Sequence, residues 1–173
     1  MFQDKAYRFK WADLGDIEKG RPNLGNMTNV AVYRLMHFST REVLIENFGV
    51  EKTNQLLFQS GKLAGQEFCR NLLNVNASLS DFIAELYETL LKLKVGILRV
   101  EKSDPNSMHL VVTVSEDLEC SGLPVTGATV CDYDEGFLAG VLGVYLNKEF
   151  SVKEIDCWST GDRTCRFRIN PQP

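Results

Sequence analysis

Residues 127–169 read GATVCDYDEGFLAGVLGVYLNKEFSVKEIDCWSTGDRTCRFRI, and this stretch decides the fold. Asp132 and Glu135 stand three apart before an apolar run, the spacing of a capping box with Asp132 as N-cap and Glu135 at N3. A helix is therefore predicted over Tyr133–Asn147. Phe150 to Ser159 and Thr164 to Ile169 then read as the two strands of a hairpin around Thr160-Gly161-Asp162.

Working outward, His109 to Ser115 alternates Leu110, Val112 and Val114 with Val111, Thr113 and Ser115, the period of a strand with one buried face. Val95 to Glu101 reads as its partner strand, with Asp104-Pro105-Asn106-Ser107 as the turn between them. Upstream the spacing is helical. One helix is predicted over Thr28–Asn47, with a broad apolar face of Val30, Val32, Tyr33, Leu35, Met36, Val43 and Leu44, ending at Phe48-Gly49. A second covers Lys52–Leu73, with Leu56, Leu57, Leu63, Ala64, Phe68, Leu72 and Leu73 in a buried stripe. A third starts at Ser80 or Asp81, with Ser80 as N-cap. Residues 1–27 read as irregular, 28–94 as helical, and 95–173 as strands, one helix and the C-terminal hairpin. Clustered rather than alternating elements predict a single α+β domain over 1–173, N-terminal helices packed on an antiparallel sheet.

The hairpin carries the first chemical signal. Cys157 and Cys165 are equidistant from Gly161, so an odd-length loop centred there places them opposite each other across the ladder. Directly opposed Cβ atoms lie ~4.5–5.5 Å apart, a separation two thiolates on one Zn²⁺ can bridge. Cys131 would precede a helix start, where the positive end of the helix dipole favours a thiolate. Glu154 is the fourth candidate. Three thiolates and a carboxylate would close a tetrahedral shell, which reads as structural rather than catalytic. Glu154 and Cys157 point to opposite faces of a regular strand, so a bulge must re-aim one of them. Such a site is net negative, and Lys153, Arg163, Arg166 or backbone N–H groups would offset it. On spacing alone, metal binding and plain burial of small thiols both stand. Cys69 reads as core, and Cys120 as core or a free thiol.

Bulk properties exclude little but point one way. The 173 residues are 44% hydrophobic and 24% charged, with a net charge of −4, which suits a globular domain and not a nucleic-acid-binding surface. The longest apolar runs fall far short of the ~20 residues of a membrane span. With no secretory signal in the first residues, a cytoplasmic protein is expected, in which five cysteines (an odd number) stay reduced and read first as metal ligands. Gly136, Gly140 and Gly143 lie on one predicted helix. Each costs ~1 kcal/mol relative to Ala there, so they mark close helix–sheet packing or room for a ligand. His37 and His109 have no nucleophile beside them and read as structural. Phe38, Phe58, Phe68, Phe82 and Tyr87 read mostly as core, and Trp158 as packing over the hairpin.

The stretch from Gly127 to Ile169 resembles the 4-vinyl reductase domain family. The matching residues are Cys131, Glu135-Gly136-Phe137-Leu138-Ala139-Gly140, Glu154-Ile155-Asp156-Cys157 and Gly161-Asp162-Arg163-Thr164-Cys165-Arg166-Phe167. Gly20-Arg21-Pro22-Asn23-Leu24-Gly25 and Leu63-Ala64-Gly65 add to the likeness. Within that family, the sensor domains of phenol-responsive activators hold zinc through Cys, Glu, Cys and Cys. That spacing resembles Cys131, Glu154, Cys157 and Cys165, so the resemblance implies a structural zinc on these four residues. It also implies a fold like the ligand-binding domains of NO signalling and Golgi transport, a hydrophobic pocket between helices and sheet, and a tendency to form homodimers.

The expectation is a module that binds a hydrophobic or aromatic small molecule, braced by zinc. A tetrapyrrole-related enzyme component or substrate carrier is the second reading, and a thiol-based redox sensor the third. Neither Gly20-x4-Gly25 nor Gly136-x3-Gly140 is a dinucleotide fingerprint following a strand. No triad, open metal site or acid–base pair supports turnover by this chain alone.

Overall fold

A computed structural model describes residues 8–104 and 107–172; Pro105 and Asn106 of the expected turn lie outside them. The N-terminal segment is less irregular than its turn residues suggest. A 3-10 turn, Trp11–Leu14, and a single helical turn, α1, Ile17–Gly20, interrupt it. The Trp11 backbone N–H donates to Glu67 Oε2 at 2.8 Å and ties the segment to the next helix.

The two expected long helices meet with no linker. They form α2, Val30–Leu72, capped by the Asn29 side chain, which accepts from the Ala31 N–H. Gly49 alone leaves the helical region, at φ 77° and ψ 165°. That conformation belongs almost wholly to glycine, and nothing lies within 4 Å of where its Cβ would be. Gly49→Ala therefore tests backbone strain without a clash. It should lower stability by about 1–3 kcal/mol in denaturant unfolding; an unchanged midpoint would show that the bend tolerates a side chain.

The halves of α2 differ in burial. In 50–72, Thr53, Leu57, Gly61, Gly65, Phe68 and Cys69 are buried at near-helical spacing. In 30–48 only His37 is buried, and the expected apolar face is not covered: Val30, Val32, Leu35, Met36 and Val43 are exposed. Helix α3, Leu79–Lys92, starts before the predicted position. Its cap is Ser78, not Ser80; Ser78 Oγ accepts from the Asp81 N–H at 3.3 Å and donates to the Asp81 carboxylate at 2.7 Å. This side places Phe82, Leu86 and Leu90 in the core, while Tyr87 is exposed, against expectation.

Four antiparallel strands, β1 (Ile97–Asp104), β2 (His109–Ser115), β3 (Phe150–Asp156) and β4 (Cys165–Pro171), form one sheet in the order β1-β2-β4-β3. Leu110, Val112 and Val114 of β2 face the core with Phe150 and Val152 of β3 and Phe167 and Ile169 of β4. Strand β1 begins two residues later than predicted and runs on to Asp104.

Helix α4, Asp132–Leu146, lies between this sheet and α2. Its glycines serve helix–helix, not helix–sheet, packing. A Cβ built on Gly136 would sit 2.0 Å from the Phe58 carbonyl oxygen, and one on Gly140 2.2 Å from that of Lys62. The contact is reciprocal: Gly61 and Gly65 of α2 face the Tyr133 and Phe137 carbonyls at 1.9 and 2.1 Å. The two backbones touch, which brings the start of α4 against the middle of α2.

Candidate metal centre

The hairpin is not the regular one its symmetry suggests. Strand β3 ends at Asp156, not Ser159, and residues Trp158–Thr160 form a 3-10 turn closed by Gly161 at φ 106°. Cys157 is thus a cap residue beyond the ladder rather than a strand residue facing Cys165. The bulge demanded by side-chain parity is present. The β3–β4 register shifts between Glu154 and Asp156, and Glu154 and Cys157 are both buried.

Cys131 stands at the N-cap of α4, one position earlier than the predicted cap. Asp132 does not cap, because its carboxylate pairs with Arg41 at 2.9 Å. Glu135 does not close a capping box either. Its carboxylate accepts the Glu154 N–H at 2.8 Å and pairs with Lys153 at 2.8 Å, locking α4 to β3 beside the cysteines.

Four sulfurs converge here. The Sγ atoms of Cys120, Cys131, Cys157 and Cys165 all lie within 4.8 Å of one another, and all four residues are buried. Cys131 is 3.8 Å from both Cys157 and Cys165, and Cys120 is 3.0 Å from Cys165. A tetrahedral zinc–thiolate site with ~2.3 Å bonds has sulfur–sulfur edges of about 3.8 Å. The two Cys131 edges match that figure, and the Cys120 edge would have to open slightly. Thiol contacts, those of Cys120 first, push Cys131 and Cys165 up and Cys157 down, so Cys157 ionises first. Four buried cysteines so disposed could hold a metal ion.

Cys120 is the member that sequence reasoning missed. It enters through the turn 117–120, where Asp117 Oδ1 accepts the N–H groups of Glu119 and Cys120, both at 2.9 Å. An aspartate two residues ahead of Glu119 is a turn signal, but nothing in Cys-x10-Cys shows that the turn swings Cys120 under β4.

Glu154 lies beside the cluster. Its Oε2 accepts the Cys131 N–H at 3.2 Å, and its buried Oε1 has no partner among the described residues. Burial, then the charge of Cys157, pushes its carboxyl up to about 8. The cations expected to offset the site are engaged elsewhere: Lys153 on Glu135, Arg166 on Glu101 and Asp156, and Arg163 over the Trp158 ring at 5.2 Å. What faces the sulfurs instead is the start of α4 and the Ser159 hydroxyl, 3.3 Å from Cys157 Sγ.

Next to the thiols is a cavity of about 230 Å³ lined by Tyr33, Phe68, Leu93, Val95, Leu118, Glu119, Tyr133, Asp134 and Phe137. Two larger clefts, of about 430 and 440 Å³, are lined largely by polar and charged residues. The smaller cavity lies between the two packed helices and the segments that follow α3 and β2. His37, 9% exposed, reaches Glu119 with Nε2 3.1 Å from Oε1. Burial raises Asp117, Glu119 and Asp134 above the usual carboxylate range and pushes Tyr133 up to about 12. Among the described residues, no helix is long and apolar enough to cross a membrane.

The family model of the vinyl-4-reductase domain matches residues 110–171 of this chain. An uncharacterised protein of Methanocaldococcus jannaschii, MJ0150, is 28% identical over 160 residues, covering 91% of this chain and 86% of that protein. The phenol-responsive sensory domain of the transcription activator PoxR, solved with phenol, superposes with a TM-score of 0.66 at 16% identity, over 85% of this chain and 76% of that one. A trafficking protein particle complex subunit 3 from Naegleria fowleri, covalently bound to palmitic acid, gives 0.67 at 13% identity, over 84% and 96%. An H-NOX protein from S. oneidensis gives 0.52 at 14% identity, over 79% and 74%. These likenesses show the α+β fold expected from the sequence, and the family-model match bears out the family resemblance.

Proposed function

We propose, from a chain that matches the vinyl-4-reductase domain over residues 110–171, that this protein is a small-molecule-binding domain of the sensor type, braced by a structural zinc ion. The observation that carries the reading is the sharing of two segments by cavity and thiols. Glu119 lines the cavity and Cys120 joins the sulfur cluster; Tyr133 and Asp134 line the cavity two and three residues after Cys131. A metal that fixes these segments fixes the cavity wall, and a ligand that moves the wall acts on the metal site. The likeness to a phenol-responsive domain supports an aromatic or hydrophobic ligand.

Zinc suits the donor set, since soft thiolates in a closed tetrahedral shell favour it. Cys131, Cys157 and Cys165 supply three ligands. Cys120 is the fourth by proximity, and Glu154 then stays protonated beside the thiolates. The orphaned Glu154 Oε1 favours a second reading, in which Glu154 is the fourth ligand and Cys120 a neighbouring thiol. Either shell is closed, so the metal supplies rigidity rather than reaction chemistry. The apolar side chains of Val32, Leu35, Met36 and Val43 left exposed on α2 support a homodimer.

Native mass spectrometry of the freshly purified protein tests this reading. One zinc per chain and a mass of two chains are expected. Cys120→Ser should lose zinc while Glu154→Gln keeps it; the reverse pattern assigns the fourth position to Glu154, and metal-free native protein refutes the brace.

A further inference from the structure

The cavity beside the thiols is apolar in shape but acidic at one end. Two of its lining residues, Glu119 and Asp134, are carboxylic, and Asp117 lies behind them, hydrogen-bonded through its side chain to Asp134. Glu119 is 1% exposed. Three buried oxygens here, Glu119 Oε1, Glu119 Oε2 and Asp134 Oδ2, have no hydrogen-bond partner among the described residues. The basic side chain against them is His37, whose Nε2 lies 3.1 Å from Glu119 Oε1 outside hydrogen-bond geometry. The two nearby guanidinium groups are committed elsewhere. Arg34 donates to the backbone carbonyls of Asp117, Leu118 and Ser121, and Arg41 pairs with Asp132.

Buried carboxyl oxygens without partners are costly, and native proteins satisfy them with protein, water or ligand. We infer that the cavity binds a compact primary amine as its ammonium ion, with a one-ring apolar body lying among Tyr33, Phe68 and Phe137. The inference rests on the small-molecule reading above and names its ligand class. A primary ammonium brings three donors to three orphaned oxygens. The Tyr33 and Tyr133 rings can add cation–π attraction. The volume limits the body: a cavity of about 150 Å³ holds benzene, so 230 Å³ accommodates one ring and a short aminoalkyl arm. An anionic ligand would add negative charge to three buried acids. A neutral alcohol or phenol satisfies fewer of the orphaned oxygens and leaves the charge unpaired.

Isothermal titration of the zinc-loaded full chain with benzylamine, benzyl alcohol and benzoate at neutral pH tests this. Benzylamine should bind one per chain, about tenfold or more tighter than benzyl alcohol, and benzoate should not bind. Glu119→Gln should weaken benzylamine about tenfold while leaving benzyl alcohol nearly unchanged. Should that variant not fold, the ranking of the three probes on the natural chain decides. Benzyl alcohol binding as tightly as benzylamine overturns the amine assignment and leaves the small-molecule reading standing. A second metal ion per chain on Asp117, Cys131 and Asp134, which also lie within 4.8 Å of one another, with no benzylamine binding, overturns it too. No binding by any probe removes the small-molecule reading along with it.

Discussion

Cys157→Ser and Cys165→Ser each lose stoichiometric zinc and lower the thermal midpoint by on the order of 10 °C or more. The positions of the thiols are the reason. Cys157 caps a 3-10 turn, Cys165 opens β4, and Cys131 caps α4. A zinc ion joins three elements that are otherwise held here mainly by Glu135, Ser159 and short turns. Zinc binding is worth ~10–16 kcal/mol in small zinc peptides, where it is the folding energy itself. This chain also has a core of its own, with Phe82, Phe150, Phe167 and Ile169 almost fully buried, so only part of the fold depends on the metal. A loss of about 4 kcal/mol corresponds to ~8–16 °C for a domain of this size. Chelation of the natural protein should produce a similar fall, and zinc should restore it. Cys69→Ser is the control: Cys69 is buried outside the cluster, so zinc content stays at one per chain. Retention of both zinc and stability in the two variants would place the metal elsewhere.

Gly61→Ala and Gly136→Ala each destabilise the fold by about 3 kcal/mol, at the upper end of overpacking costs. Alanine in an exposed helix would gain ~1 kcal/mol over glycine, so the expected sign is opposite to helix propensity. The decisive distances are 1.9 Å to the Tyr133 carbonyl and 2.0 Å to the Phe58 carbonyl. Both are backbone atoms, so relief requires the helices to part rather than a rotamer to move. Gly143→Ala serves as the contrast. Its Cβ would meet only the Lys148 carbonyl, at 3.3 Å, and the change should stay within about 1 kcal/mol. Denaturant unfolding of the three variants reads this directly. Equal stability of Gly136→Ala and Gly143→Ala would mean that the α2–α4 backbone contact is looser than it stands. Because Tyr133, Asp134 and Phe137 line the cavity from this same stretch of α4, the two tight variants should also lose ligand affinity.

Much of this architecture was legible because local chemistry and tertiary structure agree. The alternation in His109–Ser115 survives unchanged as β2. The break at Gly49 appears where the helical pattern changes register. The parity conflict between Glu154 and Cys157 required a bulge, and one is present at that place. The misses share a cause: a side chain had a better partner far away in sequence. Asp132 reads as a cap but binds Arg41, ninety-one positions off. Ser80 yields to Ser78, because two residues of shift put Phe82 and Leu86 inward. The glycines of α4 signal close approach, yet only the three-dimensional arrangement reveals that α2 is the partner and that Gly61 and Gly65 answer them. Cys120 escaped because its position depends on an aspartate-led turn after β2 rather than on any spacing. The acid cluster of Asp117, Glu119 and Asp134 escaped for the same reason, being assembled from two segments that look like ordinary polar loops.

The most direct test of the zinc brace is X-ray absorption at the zinc edge on the purified, metal-loaded protein. One zinc per chain is expected, with a first shell of sulfur at ~2.3 Å, four-fold in the natural protein and reduced by one sulfur in Cys120→Ser. A shell of nitrogen and oxygen only, or zinc far below one per chain, would contradict it.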